Sequence, residues 1–249
     1  MHTSKFLACI TLILISISFP ALALDDPWLK KMSDKLASAK AFSFRTTETH
    51  DRLSPNGKKN LSFSRTVLVR RPNRIHTTID GKKDWNFWYD GKFLTGVSDQ
   101  DKVYIQASMP ETIDDSMDEM ADRFDLNMPM SDILYSSPYD AFVSNDTKGG
   151  PVGTEKIGGV LCHHSSYQDN DVDWQIWISD KDALPCKLEI TYKKEEGKPV
   201  SRITFSNWNL SPQVTDHDFV PQIPKGYERI PIMERVRLVP KAQLPQTHN

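Results

Sequence analysis

Cysteine is scarce in this chain: three residues in 249, one of which, Cys9, falls in the first apolar segment. There is no Cys-x-x-Cys pair and no His-Glu-x-x-His helix, so the common zinc arrangements are missing. No Gly-x-Ser-x-Gly elbow is present, and neither Cys162 nor Cys186 has a protease-like context. No catalytic residue, metal ligand set or cofactor is therefore expected, and the chain does not read as an enzyme. Charge of one sign is not in excess either. With 31 basic and 33 acidic residues the formal net charge is −2, which leaves no electrostatic footprint for nucleic acid. Beyond Phe19 no apolar run approaches the roughly 20 residues needed to cross a bilayer as a helix. Internal repeats and low-complexity linkers are also missing.

What is present begins with an export signal. Lys5 precedes an apolar run from Phe6 to Phe19, Pro20 breaks it, and Ala21-Leu22-Ala23 offers a small-x-small cleavage site. Residues 1–23 are expected to be removed and the remainder to work in a bacterial periplasm. A lipid-modified terminus would need a cysteine just behind the apolar core, and Cys9 lies near its start. About 226 residues remain, a length that suits one β-rich domain, expected over residues 24–230, followed by a Pro-rich tail, 231–249.

Asp26-Pro27 is a helix-start signal, and Trp28, Met32 and Leu36 recur every four residues, predicting one amphipathic helix over about 27–40. After Phe42 the apolar period falls to two, with turn residues at close intervals up to Met109. Phe42 and Phe44 share a face, as do Phe63, Val67 and Val69, then Ile75, Thr77 and Ile79, then Trp85, Phe87 and Tyr89. Asp90-Gly91 is a strong hairpin signal. About six antiparallel strands are expected. Residues 111–145 read as helix broken near Met128-Pro129, with Ile113, Met117, Met120 and Phe124 at helical spacing. Four more strands follow: Ile157 to Tyr167, Val172 to Ser179, Cys186 to Tyr192 and Arg202 to Trp208. The fold class is α+β, mainly antiparallel β.

Several blocks carry a resemblance. Arg71-Pro72-Asn73-Arg74, Tyr89-Asp90-Gly91-Lys92, Pro110-Glu111-Thr112-Ile113-Asp114 and Pro129-Met130-Ser131-Asp132-Ile133-Leu134-Tyr135 resemble signature blocks of a predicted periplasmic family, domain of unknown function 2092. Gly159-Val160-Leu161-Cys162-His163-His164 and Val172-Asp173-Trp174-Gln175-Ile176-Trp177-Ile178 continue the match in order. The resemblance implies a fold similar to the lipoprotein carriers LolA and LolB: a curved, unclosed β-barrel with helices plugging its concave face. It implies no activity, only a cavity able to hold acyl chains or another apolar ligand.

On that expectation Phe44, Phe63, Phe87, Tyr89, Trp174 and Ile176 line a lipophilic cavity beneath the helices that carry Met117 and Met120. The competing account of these residues is ordinary core packing, since aromatic residues suit strands and methionine fills gaps. Trp88 and Trp177 must point away from their neighbours, so their strands are either covered on both faces or expose an aromatic residue. His163 and His164, adjacent on a strand, face opposite sides and cannot chelate one ion together. Asp169-Asn170-Asp171 reads as a hairpin turn. Simple hairpins would set Cys162 and Cys186 on either side of a middle strand, with Cα atoms about 9.6 Å apart. That exceeds the limit of about 7 Å for a disulfide, unless register or topology differs.

The function expected is a diffusible, monomeric carrier or binding protein for a lipid-like ligand or a lipid-modified protein, without covalent chemistry. The alternative is an envelope protein–protein interaction module whose half-barrel is filled by its own side chains. Its docking segment would be the tail, with Arg229 just before it and Arg235, Arg237 and Lys241 within it.

Overall fold

The computed structural model describes residues 25–232 apart from 55–56, 82–83, 125 and 127; the expected signal segment and residues 233–249 of the tail lie outside the described residues. Asp26 caps the first helix, α1 (Pro27–Ser38), by accepting from the backbone N–H groups of Trp28 at 2.9 Å and Leu29 at 3.0 Å. Its other oxygen accepts from the hydroxyls of Ser165 and Tyr167, far along the chain, so the cap also fastens the helix to the sheet. Leu29, Met32 and Leu36, at near-helical spacing, are completely buried against that sheet.

Six strands follow as expected: β1 (Ala41–Ser54), β2 (Gly57–Arg70), β3 (Arg74–Asp80), β4 (Trp85–Tyr89), β5 (Phe93–Ser98) and β6 (Val103–Ser108). The helical stretch resolves into α2 (Ile113–Phe124), a 3-10 turn (Ser131–Leu134) and α3 (Pro138–Phe142), interrupted where Pro129 was expected to break it. The second run of strands has β7 (Lys148–Ile157), β8 (Val160–Gln168), β9 (Val172–Ser179), β10 (Pro185–Tyr192) and β11 (Val200–Asn209). A two-residue strand, β12 (Glu228–Arg229), closes the series. All twelve form one unclosed sheet in the order β12-β6-β5-β4-β3-β2-β1-β11-β10-β9-β8-β7, antiparallel except where β12 runs parallel to β6.

One hydrophobic core lies between the concave face of this sheet and the helices. The chain then crosses to the convex face. There the Asp216–Phe219 3-10 turn packs against β3, Arg70 bonds Asp216 at 2.5 Å, and the Arg70 guanidinium lies 5.0 Å from the ring of the buried Phe219. On the same face Trp88 stacks on His76 at 4.8 Å and is only 6% exposed. Burial lowers the His76 pKa, with Asp218 acting in the opposite sense. Trp177 is covered too: its ring stacks on His164, its indole N–H donates to Glu155 at 2.7 Å, and the Lys187 ammonium sits 4.2 Å away. Both strands that carry opposed aromatics are therefore covered on two sides.

The cysteines require a correction. Cys162 and Cys186 form a disulfide with their Cα atoms 6.9 Å apart. Simple hairpin arithmetic places Cys162 opposite Ile178, whereas it pairs with Ser179. On β10 the register shifts between Pro185 and Lys187, so Cys186 occupies a bulge. A bulge places the extra residue out of alternation and re-aims its side chain. Cys186 is thereby delivered to the convex face, where Cys162 and Trp177 already lie.

Candidate functional site

The concave face divides into a filled half and an open half. Over β9–β11 the core is closed: Phe44 packs on Trp208 at 4.5 Å and on Phe205 at 5.8 Å, while Trp174 packs on Tyr167 at 4.1 Å and on Phe142 of α3 at 5.1 Å. Ile176 is fully buried beside them. Over β3–β6 the roof is α2, and between it and the strands lies a cavity of about 220 Å³ with an almost wholly apolar lining. Ile75, Thr77, Ile79, Phe87 and Tyr89 form its floor, Leu94, Ile105 and Met109 its side, and Met117, Met120 and Phe124 its roof. Leu126, 46% exposed, and Ile232 stand at its rim.

Local sequence explains why α2 stands where it does. Thr112 caps it by accepting from the Asp115 N–H at 3.1 Å, and Asp114 and Asp115 occupy the first turn, where acids favour the positive end of the helix dipole. The Tyr89 hydroxyl lies within hydrogen-bond reach of the Pro110 and Thr112 carbonyls, pinning the entry to the floor of the cavity. Ile113 N–H donates to the Pro72 carbonyl at 2.9 Å, and Arg71 reaches the carbonyls of Leu134 at 2.8 Å and Tyr135 at 2.7 Å. The β2–β3 turn thus holds the start of α2 and the end of the 3-10 turn that follows it. Gly96 shapes the floor: a Cβ there would come 2.6 Å from the Phe87 ring, so the missing side chain lets that ring lie flat across β5.

Beyond Arg65 and Met128, which border both spaces, the apolar cavity gives way to an open polar cleft of about 500 Å³. Its keel is Glu48, whose side chain is 1% exposed. One oxygen accepts from Thr46 Oγ1 at 2.6 Å and Arg65 Nε at 2.9 Å; the other is 3.1 Å from His50 Nε2. Burial pushes the Glu48 pKa up, but the His50 hydrogen bond and the Arg65 charge outweigh it and hold the carboxyl at about 2. His50 Nδ1 lies 2.7 Å from Ser201 Oγ, so serine, histidine and glutamate stand in line. Ser201, the second residue of β11, is nevertheless held in the sheet by pairing with both β1 and β10. It is not on a turn of the kind that presents a nucleophile beside free backbone donors. Asp132, at the edge of the roof, lines a recess with Met117, Met120 and Met128. Burial lifts its pKa to about 7, only partly offset by a hydrogen bond from Ser131.

Of the residues expected at a cavity, Phe87, Tyr89, Met117 and Met120 meet at this one. Phe63 lines the polar cleft, stacked on His50 at 5.2 Å, and Phe44, Trp174 and Ile176 belong to the filled half. The division has a steric cause: α1 and α3 press directly onto β9, Phe142 against Trp174, whereas the middle of α2 faces its strands across a gap with the flexible Met117 and Met120. Arg65 escaped sequence reasoning because a charged residue gives no apolar signal, and Thr77, though placed on the face of Ile75 and Ile79, was not counted among the cavity residues. His163 and His164 point as expected to opposite faces, onto Trp28 and Trp177. Asp169 Oδ1 accepts from the N–H groups of Asp171 and Val172, which makes the expected turn.

A half-barrel of antiparallel strands with a helix-roofed cavity on its concave face defines the class. The chain belongs to the family described as predicted periplasmic protein (DUF2092), which it matches over residues 26–233, and its place is the periplasm. No curated protein matches it. Among solved structures it is similar to an uncharacterised conserved protein from Thermus thermophilus, at 8% identity over 81% of this chain and 97% of that one, with a TM-score of 0.48. It is also similar to LprF from Mycobacterium bovis, at 13% identity over 80% and 94% with a TM-score of 0.44. A third is a LolA superfamily protein from Nitrosomonas europaea, at 12% identity over 78% and 97% with a TM-score of 0.35.

Proposed function

We propose that the protein is a periplasmic carrier or binding protein for a lipid-like ligand, working by reversible sequestration. The observation that carries this reading is the cavity beneath α2, almost wholly apolar in its lining and roofed by Met117 and Met120. An occupant would gain on the order of 25 cal/mol for each Å² of apolar surface withdrawn from water. The volume lies below the roughly 300–1,000 Å³ of sites for drug-sized ligands, so it suits one slim chain. Thioethers let the roof adjust to chains of different shape. The test is gentle purification from cells, extraction and mass spectrometry, with uptake of a fluorescent fatty acid measured in parallel. A copurifying amphiphile is expected; repeated absence of any, together with no uptake, would overturn the reading.

A second reading, an interaction module, rests on the exposed edge strand β7 and the apolar side chains near it: Val152 is 62% exposed, Val160 45% and Leu161 44%. Replacing Val160 and Leu161 by Lys separates the two, because loss of a copurifying protein with uptake intact would favour the module.

A further inference from the structure

Two polar side chains on the wall of the apolar cavity have hydrogen-bonding capacity to spare. Arg65 is 7% exposed. Its Nε is committed to Glu48, its Nη1 meets only the weakly accepting Met128 sulfur at 4.0 Å, and its Nη2 makes no hydrogen bond among the described residues. Thr77 is 8% exposed and its Oγ1 is buried without a hydrogen-bond partner. The two are close: Arg65 pairs with Ile79 and Val67 with Thr77, so Arg65 and Thr77 are diagonal neighbours on one face of the β2–β3 ladder. Diagonal positions lie roughly 7 Å apart, within reach of a long side chain. Rotation of Thr77 about χ1 exchanges its methyl and hydroxyl positions, so the same residue can offer the lumen either surface. Neighbouring polar groups are already engaged, Tyr89 with Pro110 and Thr112, and Ser116 with Pro110.

Leaving the Thr77 hydroxyl unmet in an apolar enclosure is unfavourable, and an oxygen brought by an occupant would relieve it while also meeting the spare Arg65 N–H at the mouth of the polar cleft. Charge decides which oxygen. The Arg65 guanidinium is already matched by the Glu48 carboxylate, held ionised by its partners, so a second full negative charge would face both the buried Glu48 anion and its own loss of water. A neutral acceptor meets the free N–H and O–H groups without that cost. We propose that the cavity takes a single acyl chain bearing a neutral ester, whose carbonyl oxygen is held by Arg65 and Thr77 where the apolar cavity passes into the polar cleft. The inference rests on the reading of the cavity as a lipid site. It adds that the site distinguishes an acyl ester from a bare hydrocarbon and from a free carboxylate.

The experiment uses the full mature chain and displacement of an uncharged naphthylamine dye by dodecane, methyl decanoate and decanoate, on the wild type and on Thr77→Val and Thr77→Ser. Wild type should favour the ester over the other two. Thr77→Val should weaken the ester about fivefold, the worth of one neutral hydrogen bond, leave dodecane unchanged or tighter, and remain folded by thermal melting. Thr77→Ser, which keeps the hydroxyl, should keep the ester preference. Equal binding of ester and alkane, or a preference for decanoate, would overturn the inference while leaving the carrier reading in place. Failure of all three to displace the dye would overturn both. A monodecanoylglycerol and a diacylglyceryl-cysteine peptide, compared side by side, then tell a free lipid from a lipid-modified chain end, and each that binds must lose affinity in Thr77→Val.

Discussion

Replacing Glu48 by Gln removes the charge at the keel of the polar cleft while keeping its shape. In the wild type the carboxyl titrates at about 2 rather than at its ordinary 4.5, which at about 1.4 kcal/mol per pH unit corresponds to about 3 kcal/mol of folding stability. The sign follows from the depressed value. This stabilisation is fully present above pH 4.5, and is lost as pH falls through 4.5 towards about 2, with roughly 2 kcal/mol of it gone by about pH 3. In Glu48→Gln that acid-sensitive contribution is missing, and Arg65 is left buried without its counter-charge, a loss of about 3–5 kcal/mol near neutrality. Urea unfolding of both proteins at a series of pH values between about 7 and 3 measures the difference directly. The gap should be widest at neutral pH and narrow by roughly 2 kcal/mol on acidification. A gap that stays constant across the series would refute the account of Glu48 as an anion held by His50, Arg65 and Thr46.

Met117→Trp should fill the space beneath α2 and abolish dye uptake without lowering the melting temperature, since it occupies empty volume rather than displacing packed atoms; uptake that persists would show that the dye sits elsewhere. Removing the disulfide with Cys162→Ala and Cys186→Ala, 24 residues apart, should cost about 3–4 kcal/mol in chemical unfolding by the chain-entropy relation. Asp132→Asn should stabilise the protein at pH 8 and lose that advantage by about pH 4. A carboxyl raised to about 7 weakens the fold as pH climbs from its ordinary 3.8, and thermal melts at the two pH values test this.

Alternation of apolar residues made β1–β6 and β8–β11 legible, and the Asp26-Pro27 signal placed α1 correctly. Strand β7 escaped because it is an exposed edge rich in Gly149, Gly150, Pro151 and Gly153, which carries no two-residue apolar rhythm. Strand β12 escaped because two residues are too few for any periodicity. The cavity was half legible. Periodicity tells which side chains face inward, so Phe87, Tyr89, Met117 and Met120 were found. It does not tell how far above the sheet each helix stands, and that distance separates Phe44 and Trp174, in the filled half, from the residues that enclose empty space. The disulfide lay beyond hairpin arithmetic for a related reason: one bulged residue changes the face of everything it precedes.

Asp26, the second of the described residues, completes its bonds only with Ser165 and Tyr167, and β1 finds one of its two neighbours only in β11. A chain that crosses a membrane with its amino end first therefore delivers α1 and β1 long before the partners that bury them. Until the last third has emerged, the apolar stripe of α1 and the free side of β1 stand open to water. Local hairpins such as β1–β2 can form early, but joining the two runs of strands must wait for β11. The molecule is thus expected to spend its export as an adhesive half-sheet, and to depend on holding factors in the receiving compartment until its final strands arrive.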